Sequence, residues 1–128
     1  MQEIREEKRK FNRVPFLYND EIIGTFIIPG EKEKFRAHIL NLSVQGLYFT
    51  LKKDEKQLHE ADKLVLLEMN GLRDEVFIVN IEMEVRRVLN YEELLHLGYG
   101  CKFLTFPDSS KEQIRRFLEK WFLEGRSV

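Results

Sequence analysis

The run from Phe77 to Arg86 constrains the fold more than any other stretch of this 128-residue chain. Phe77, Val79, Ile81, Met83 and Val85 occupy alternate positions, with Ile78, Asn80, Glu82, Glu84 and Arg86 between them. Successive side chains on a β-strand point to opposite faces, whereas a helix would scatter both sets around its axis. The run is therefore predicted to be a long strand with one face in the core and the other mostly in water.

The same period of two recurs in Phe35-Arg36-Ala37-His38-Ile39 and in Leu47-Tyr48-Phe49-Thr50-Leu51. The polar stretch Asn41-Leu42-Ser43-Val44-Gln45-Gly46 separates these two runs, so they read as an antiparallel hairpin. Asn and Ser bend a chain by hydrogen-bonding its backbone, and Gly reaches backbone angles that other residues avoid. Upstream, Pro15 confines Val14 to extended conformations. Phe16-Leu17-Tyr18 and the segment from Ile22 to Ile28 have strand composition, with a turn or bulge at Asn19-Asp20-Glu21. Downstream, Leu64 to Met69 is predicted as a strand ending at an Asn70-Gly71 turn. Asn90-Tyr91-Glu92-Glu93 is expected to turn the chain again, and Leu97 to Phe106 supplies a last strand. Within it, Gly98 and Gly100 mark a bend or a close backbone approach. The charged segments Glu31 to Lys34 and Lys52 to Lys63 read as solvated connections.

Pro107 stops the last strand, and Asp108, Ser109 or Ser110 can each cap a helix. Ile114, Phe117, Leu118, Trp121 and Phe122 then recur at intervals of three and four, giving an amphipathic helix expected to lie against the sheet. Many short strands and one terminal helix predict a mainly β fold, a small antiparallel barrel or strongly curled sheet. Closure would also remove the exposed sheet edges that invite aggregation.

Composition narrows the function classes. A net charge of −1 argues against a general polyanion binder, so any anion site must be local. Local bias exists in the first thirteen residues, where five cations (Arg5, Lys8, Arg9, Lys10, Arg13) face three glutamates. Cys101 is the single cysteine and reads as a small apolar strand residue, consistent with a reducing compartment. Met1 to Lys10 has no apolar segment of signal-peptide type, and no apolar run approaches the ~18 residues that span a bilayer. A cytoplasmic location without membrane insertion is expected. His38, His59 and His96 lie apart from any acid or nucleophile at a recognisable spacing, and no enzyme is predicted.

Two short patterns occur together. Arg9 and Arg13 form Arg-x-x-x-Arg, and Asn41, Ser43 and Gly46 form Asn-x-Ser-x-x-Gly after an intervening β-rich segment. With Leu97-Gly98-Tyr99-Gly100-Cys101-Lys102-Phe103 and the amphipathic helix behind them, these patterns resemble the PilZ domain, a bacterial receptor for cyclic di-GMP. The resemblance covers nearly the whole chain. It implies a six-stranded antiparallel β-barrel of split-barrel type with a C-terminal α-helix (residues 14–128), preceded by a flexible basic arm (residues 1–13). It also implies that Arg9 and Arg13 contact phosphate and guanine, because a guanidinium matches both bidentately. Asn41 would bond a guanine edge and Ser43 a phosphate or base. Gly46 would let backbone N–H groups approach the ligand. Lys8, Lys10, Arg86 and Arg87 are possible secondary contacts.

The implied ligand is cyclic di-GMP, with no cofactor and no metal. Binding would move the arm and signal to a protein partner in trans, from a monomer or weak dimer, in control of motility, exopolysaccharide or virulence. Two alternatives stand beside this reading: a PilZ-like interaction module that has lost the ligand, and a small-barrel nucleic-acid binder. Net charge −1 and the outward Glu82 and Glu84 disfavour the second.

Overall fold

The computed structural model describes residues 13–72, 75–90 and 95–124. Among the described residues, seven strands are followed by one helix: β1 (Val14–Pro15), β2 (Ile23–Ile27), β3 (Lys34–Leu42), β4 (Gly46–Lys52), β5 (Lys63–Leu72), β6 (Glu75–Asn90), β7 (His96–Phe103) and α1 (Asp108–Leu123). All strand pairs are antiparallel. The order β3-β2-β5-β6-β7-β4 closes through a β3–β4 pairing into a six-stranded barrel, and β1 lies outside it against β3. The mainly β barrel with a C-terminal helix expected from the sequence is the architecture found.

The alternation in β6 holds from Phe77 to Arg86: Phe77, Val79, Ile81, Met83 and Val85 are buried, whereas Ile78, Asn80, Glu82 and Arg86 are exposed. This strand serves both halves of the barrel, pairing with β5 from Glu75 to Glu84 and with β7 from Met83 to Asn90. Its curvature comes from bulges, which insert an extra residue on one strand and sharpen the local twist. One lies at Asn80, whose φ of 53° is left-handed, between the Leu66↔Ile81 and Glu68↔Ile78 pairs.

Two aromatic groups fill the core. Inside the barrel, Phe26 and Phe49 lie 4.6 Å apart and Phe49 and Tyr99 5.3 Å apart. Between barrel and helix, Phe16 packs on Trp121 at 4.8 Å, and Phe117 meets Phe77 at 5.3 Å, both edge to face. Such rings bury large apolar areas, and edge-to-face pairing adds about 0.5–1.5 kcal/mol per pair. Ile114, Phe117 and Trp121 form the buried stripe of α1, while Phe122 at its margin stays 48% exposed.

Four local expectations are corrected. Phe16-Leu17-Tyr18 is no strand: Phe16 turns into the helix contact, and Tyr18–Asp20 forms a 3-10 turn closed by Asp20 Oδ2 accepting from Leu17 N–H at 2.7 Å. Asn70-Gly71 does not end β5, which continues to Leu72. Gly71 (φ 128°) is instead a bulge residue, and a Cβ there would lie 2.7 Å from the Glu21 carbonyl oxygen. The last strand stops at Phe103 rather than Phe106. None of Asp108, Ser109 and Ser110 caps α1. Pro107 occupies that position with its carbonyl accepting from Lys111 N–H, and the Ser110 hydroxyl donates to the Val79 carbonyl at 2.5 Å, pinning the helix to β6. The expected turn at Asn90 to Glu93 falls largely outside the described residues.

Among the described residues, no helix is long and apolar enough to cross a membrane, and no group of three His, Cys, Asp or Glu side chains is placed to hold a metal.

Candidate functional site

Strand register builds the site. On the outer face of the barrel Asn41 of β3 pairs with Tyr48 of β4, Tyr48 with Gly100 of β7, and Gly100 with Arg87 of β6. These four residues form one row across four strands. β1 adds Arg13 at its end: Pro15 pairs with Asn41, and the Arg13 guanidinium Nη1 donates to Asn41 Oδ1 at 2.9 Å. Bulges set the directions of the row. The β3 bulge at Leu40, between Ile39↔Phe49 and Asn41↔Tyr48, brings Asn41 onto the outer face. The β6 bulge at Arg86, between Val85↔Cys101 and Arg87↔Gly100, leaves two consecutive arginines exposed where strict alternation would bury the second.

The row floors an open groove of about 720 Å³, within the roughly 300–1,000 Å³ of small-ligand clefts. Arg13, Arg86, Arg87 and Lys102 line it, and none of its lining residues among those described is acidic. Arg86 is engaged by Glu84 at 2.6 Å, whereas Arg87 has no ion-pair partner among the described residues. Partial burial draws the Arg13 guanidinium below its usual range, Cys101 opposes this, and the like charge of Arg87 adds to it. An arginine nonetheless stays charged at neutral pH. Arg13 and Arg87, two neighbouring cations with no carboxylate paired to either among the described residues, favour an anion between them. Burial pushes the Cys101 thiol up to about 12, so it remains neutral and is a poor nucleophile.

The sequence-predicted residues divide into three groups. Arg13, Asn41, Arg86 and Arg87 come together at the groove. Arg9, Lys8 and Lys10 lie outside the described residues. Ser43 and Gly46 are adjacent to the groove but do not line it. Ser43 is 3% exposed, its Oγ accepting from Gln45 N–H at 3.1 Å and facing the Gly46 carbonyl at 3.4 Å. With Ser43 N–H donating to the Gly46 carbonyl at 2.9 Å, the hydroxyl shapes the β3–β4 turn. At Gly46 a Cβ would fall 2.0 Å from the Cys101 carbonyl oxygen, so glycine is required by the approach of β7. Tyr48, Gln45 and Lys102 also line the groove and were not singled out from the sequence. Tyr48 carried a signal, since it lies two residues beyond Gly46 on the same strand face.

A second concavity, about 580 Å³, lies along the same sheet face. Its lining mixes Arg36 and Lys52 with Glu21 and Glu55, and Tyr18 stacks on His38 at 4.0 Å. It lacks the single-sign charge of the first.

The sequence profile of the PilZ domain matches residues 7–120. No curated protein sequence matches the chain. Among solved structures, the PilZ domain of YcgR from Escherichia coli, solved with c-di-GMP, superposes with a TM-score of 0.70 at 16% identity, over 93% of this chain and 95% of that one. The K. pneumonia MrkH–c-di-GMP complex gives 0.66 at 14% identity, and Borreliella burgdorferi PlzA in complex with c-di-GMP gives 0.57 at 11%. These cover 92% and 99% of this chain, which spans 54% and 59% of the two proteins. With the profile match running from Arg-x-x-x-Arg through the barrel into the helix, the chain belongs to the PilZ domain family.

Proposed function

We propose that the chain is a cyclic di-GMP receptor that binds the dinucleotide in the Arg13–Asn41–Arg87 groove. One observation carries this reading. Register and two bulges gather Arg13, Asn41 and Arg87 around a concavity of small-ligand size with no acidic residue among its described lining. Cyclic di-GMP presents two phosphodiesters and two guanines, and guanidinium forks match both phosphate oxygens and the guanine O6/N7 edge. The solved relatives named above carry c-di-GMP on the same fold, which supports this choice of anion.

In this reading Arg13 and Arg87 hold phosphate or guanine, and Arg9, four residues before Arg13, adds a second guanidinium from the arm. Asn41 is already oriented by Arg13 and meets a base edge. Ser43 and Gly46 act through the turn and strand contact that hold Asn41 in place. Closure of the arm over the ligand gives a changed surface for a protein partner in trans, with the chain as monomer or weak dimer in the cytoplasm. Its role is that of a receptor and not a catalyst.

The test is a calorimetric titration of the chain with cyclic di-GMP, beside Arg13→Ala and with GTP as control. Saturable binding is expected for the unsubstituted chain. The variant should lose tenfold or more, since hydrogen bonds to charged groups contribute about 1.5–3 kcal/mol. Its circular dichroism should not change, because Arg13 is exposed. Undiminished affinity in Arg13→Ala would overturn the site assignment.

A further inference from the structure

We infer that Tyr48 is the stacking platform for one guanine of the bound dinucleotide, and that Gly98 and Gly100 are its bed. This rests on the receptor reading above and adds a base-recognition residue to it. A Cβ on Gly98 would fall 1.6 Å from Tyr48 Oη and 2.4 Å from its Cζ, and one on Gly100 would lie 3.9 Å from its Cδ2. Residues two apart on a strand share a face, so both missing side chains leave space on the same outer side of β7. The Tyr48 ring occupies that space, running along β7 from Gly100 towards Gly98. An aromatic side chain laid over glycines of a neighbouring strand is a recognised way of fixing register, and it also holds the ring.

The consequence for recognition lies in what surrounds this ring. Tyr48 lines the groove between its row neighbours, with Asn41 directly beside it on β3 and Arg87 beyond Gly100 on β6. Arg87 also stays close to the bed, its Cβ 3.5 Å from the position a Cβ on Gly100 would take. A purine laid on the ring therefore has the Asn41–Arg13 pair at one edge and the Arg87 guanidinium at another. The arginines answer charge, and a fixed aromatic face answers the flat base. A ring bedded on backbone loses little freedom on binding, which favours a planar ligand over inorganic phosphate or a sugar phosphate.

The experiment titrates cyclic di-GMP into the full chain and five variants: Tyr48→Ala, Tyr48→Phe, Tyr48→Leu, Gly98→Ala and the double variant Tyr48→Ala/Gly98→Ala. Removing a stacking face costs roughly fivefold to a hundredfold in affinity. Tyr48→Ala should show such a loss, Tyr48→Leu a comparable one because it fills space without a π-face, and Tyr48→Phe should recover most of the affinity. Gly98→Ala displaces the ring and should bind as weakly as Tyr48→Ala. The double variant should be no weaker than either, since one interaction is lost once. The guanine H8 resonance of the ligand should shift upfield with the unsubstituted chain, and less with Tyr48→Ala. Saturable binding by the unsubstituted chain together with full affinity in Tyr48→Ala, or in Tyr48→Leu, would remove the platform and leave the receptor reading standing. No binding by the folded, unsubstituted chain would remove both.

Discussion

A Cβ on Gly46 would lie 2.0 Å from the Cys101 carbonyl oxygen and 3.2 Å from the Lys102 Cα, both backbone atoms of the paired strand. Backbone in a closed barrel cannot retreat without carrying its own partners, so any larger residue at 46 forces β4 and β7 apart. Gly46→Ala is expected to lower unfolding stability by about 1–3 kcal/mol, the usual cost of overpacking, visible as a lower denaturant midpoint even without ligand. An unchanged midpoint with lost binding would return Gly46 to the ligand-approach role that the motif implied. The turn motif was thus legible as a set of residues, but the turn and strand contacts that Ser43 and Gly46 make were not. Asn41 lines the groove, where Arg13 donates to its side-chain oxygen. Ser43 is committed to the turn it caps, and Gly46 answers to a strand more than fifty positions away. A local pattern cannot show a constraint imposed by a distant partner.

Among elements, β6 shows best where reading by periodicity succeeds and where it stops. Alternation identified its buried face residue by residue, because period two is a property of one strand. The bulges at Asn80 and Arg86 were not legible, because a bulge is a mismatch in count between two strands. The same holds for Gly71, whose place in a turn pattern hid its role as a bulge beside Glu21. The Arg86 bulge is what turns both arginines outward, yet their environments differ: Arg86 is held by Glu84, and Arg87 faces the groove without a partner among the described residues. Arg87→Ala should therefore weaken cyclic di-GMP binding tenfold or more, and Arg86→Ala by a clearly smaller factor, in parallel calorimetric titrations. Equal losses would mean that Glu84 releases Arg86 on binding. The helix offers a separate check. Phe117 is fully buried between Phe16 and Phe77, so Phe117→Ala should destabilise the fold by about 3–5 kcal/mol in denaturant unfolding.

At the scale of the whole molecule, the charge balance of −1 conceals a division of labour. Among the described residues the groove is lined by four cations and no acid, while the same outer face of β6 carries the exposed Glu82 and the Glu84 that holds Arg86. A long polyanion lying across the barrel would meet those carboxylates, whereas an anion confined to the groove would not. Binding to the folded state alone stabilises it by RT ln(1 + [L]/Kd), about 2.7 kcal/mol at a hundredfold excess over Kd. For a domain of this size that raises Tm on the order of 10 °C. Thermal unfolding should therefore show a rise of this size with saturating cyclic di-GMP, and none with a random single-stranded oligonucleotide at about 0.15 M salt. The oligonucleotide arm decides between two kinds of anion site. Non-specific nucleic-acid binding is dominated by counterion release, so it would strengthen steeply as salt is lowered and would track the number of phosphates engaged. A bounded groove with a few guanidiniums and an aromatic floor should show a shallow salt dependence and saturate at a fixed ligand ratio. A Tm rise with the oligonucleotide that grows as salt falls would reassign the cationic groove to a nucleic-acid backbone. A rise confined to the cyclic dinucleotide would assign the same four cations to a second messenger.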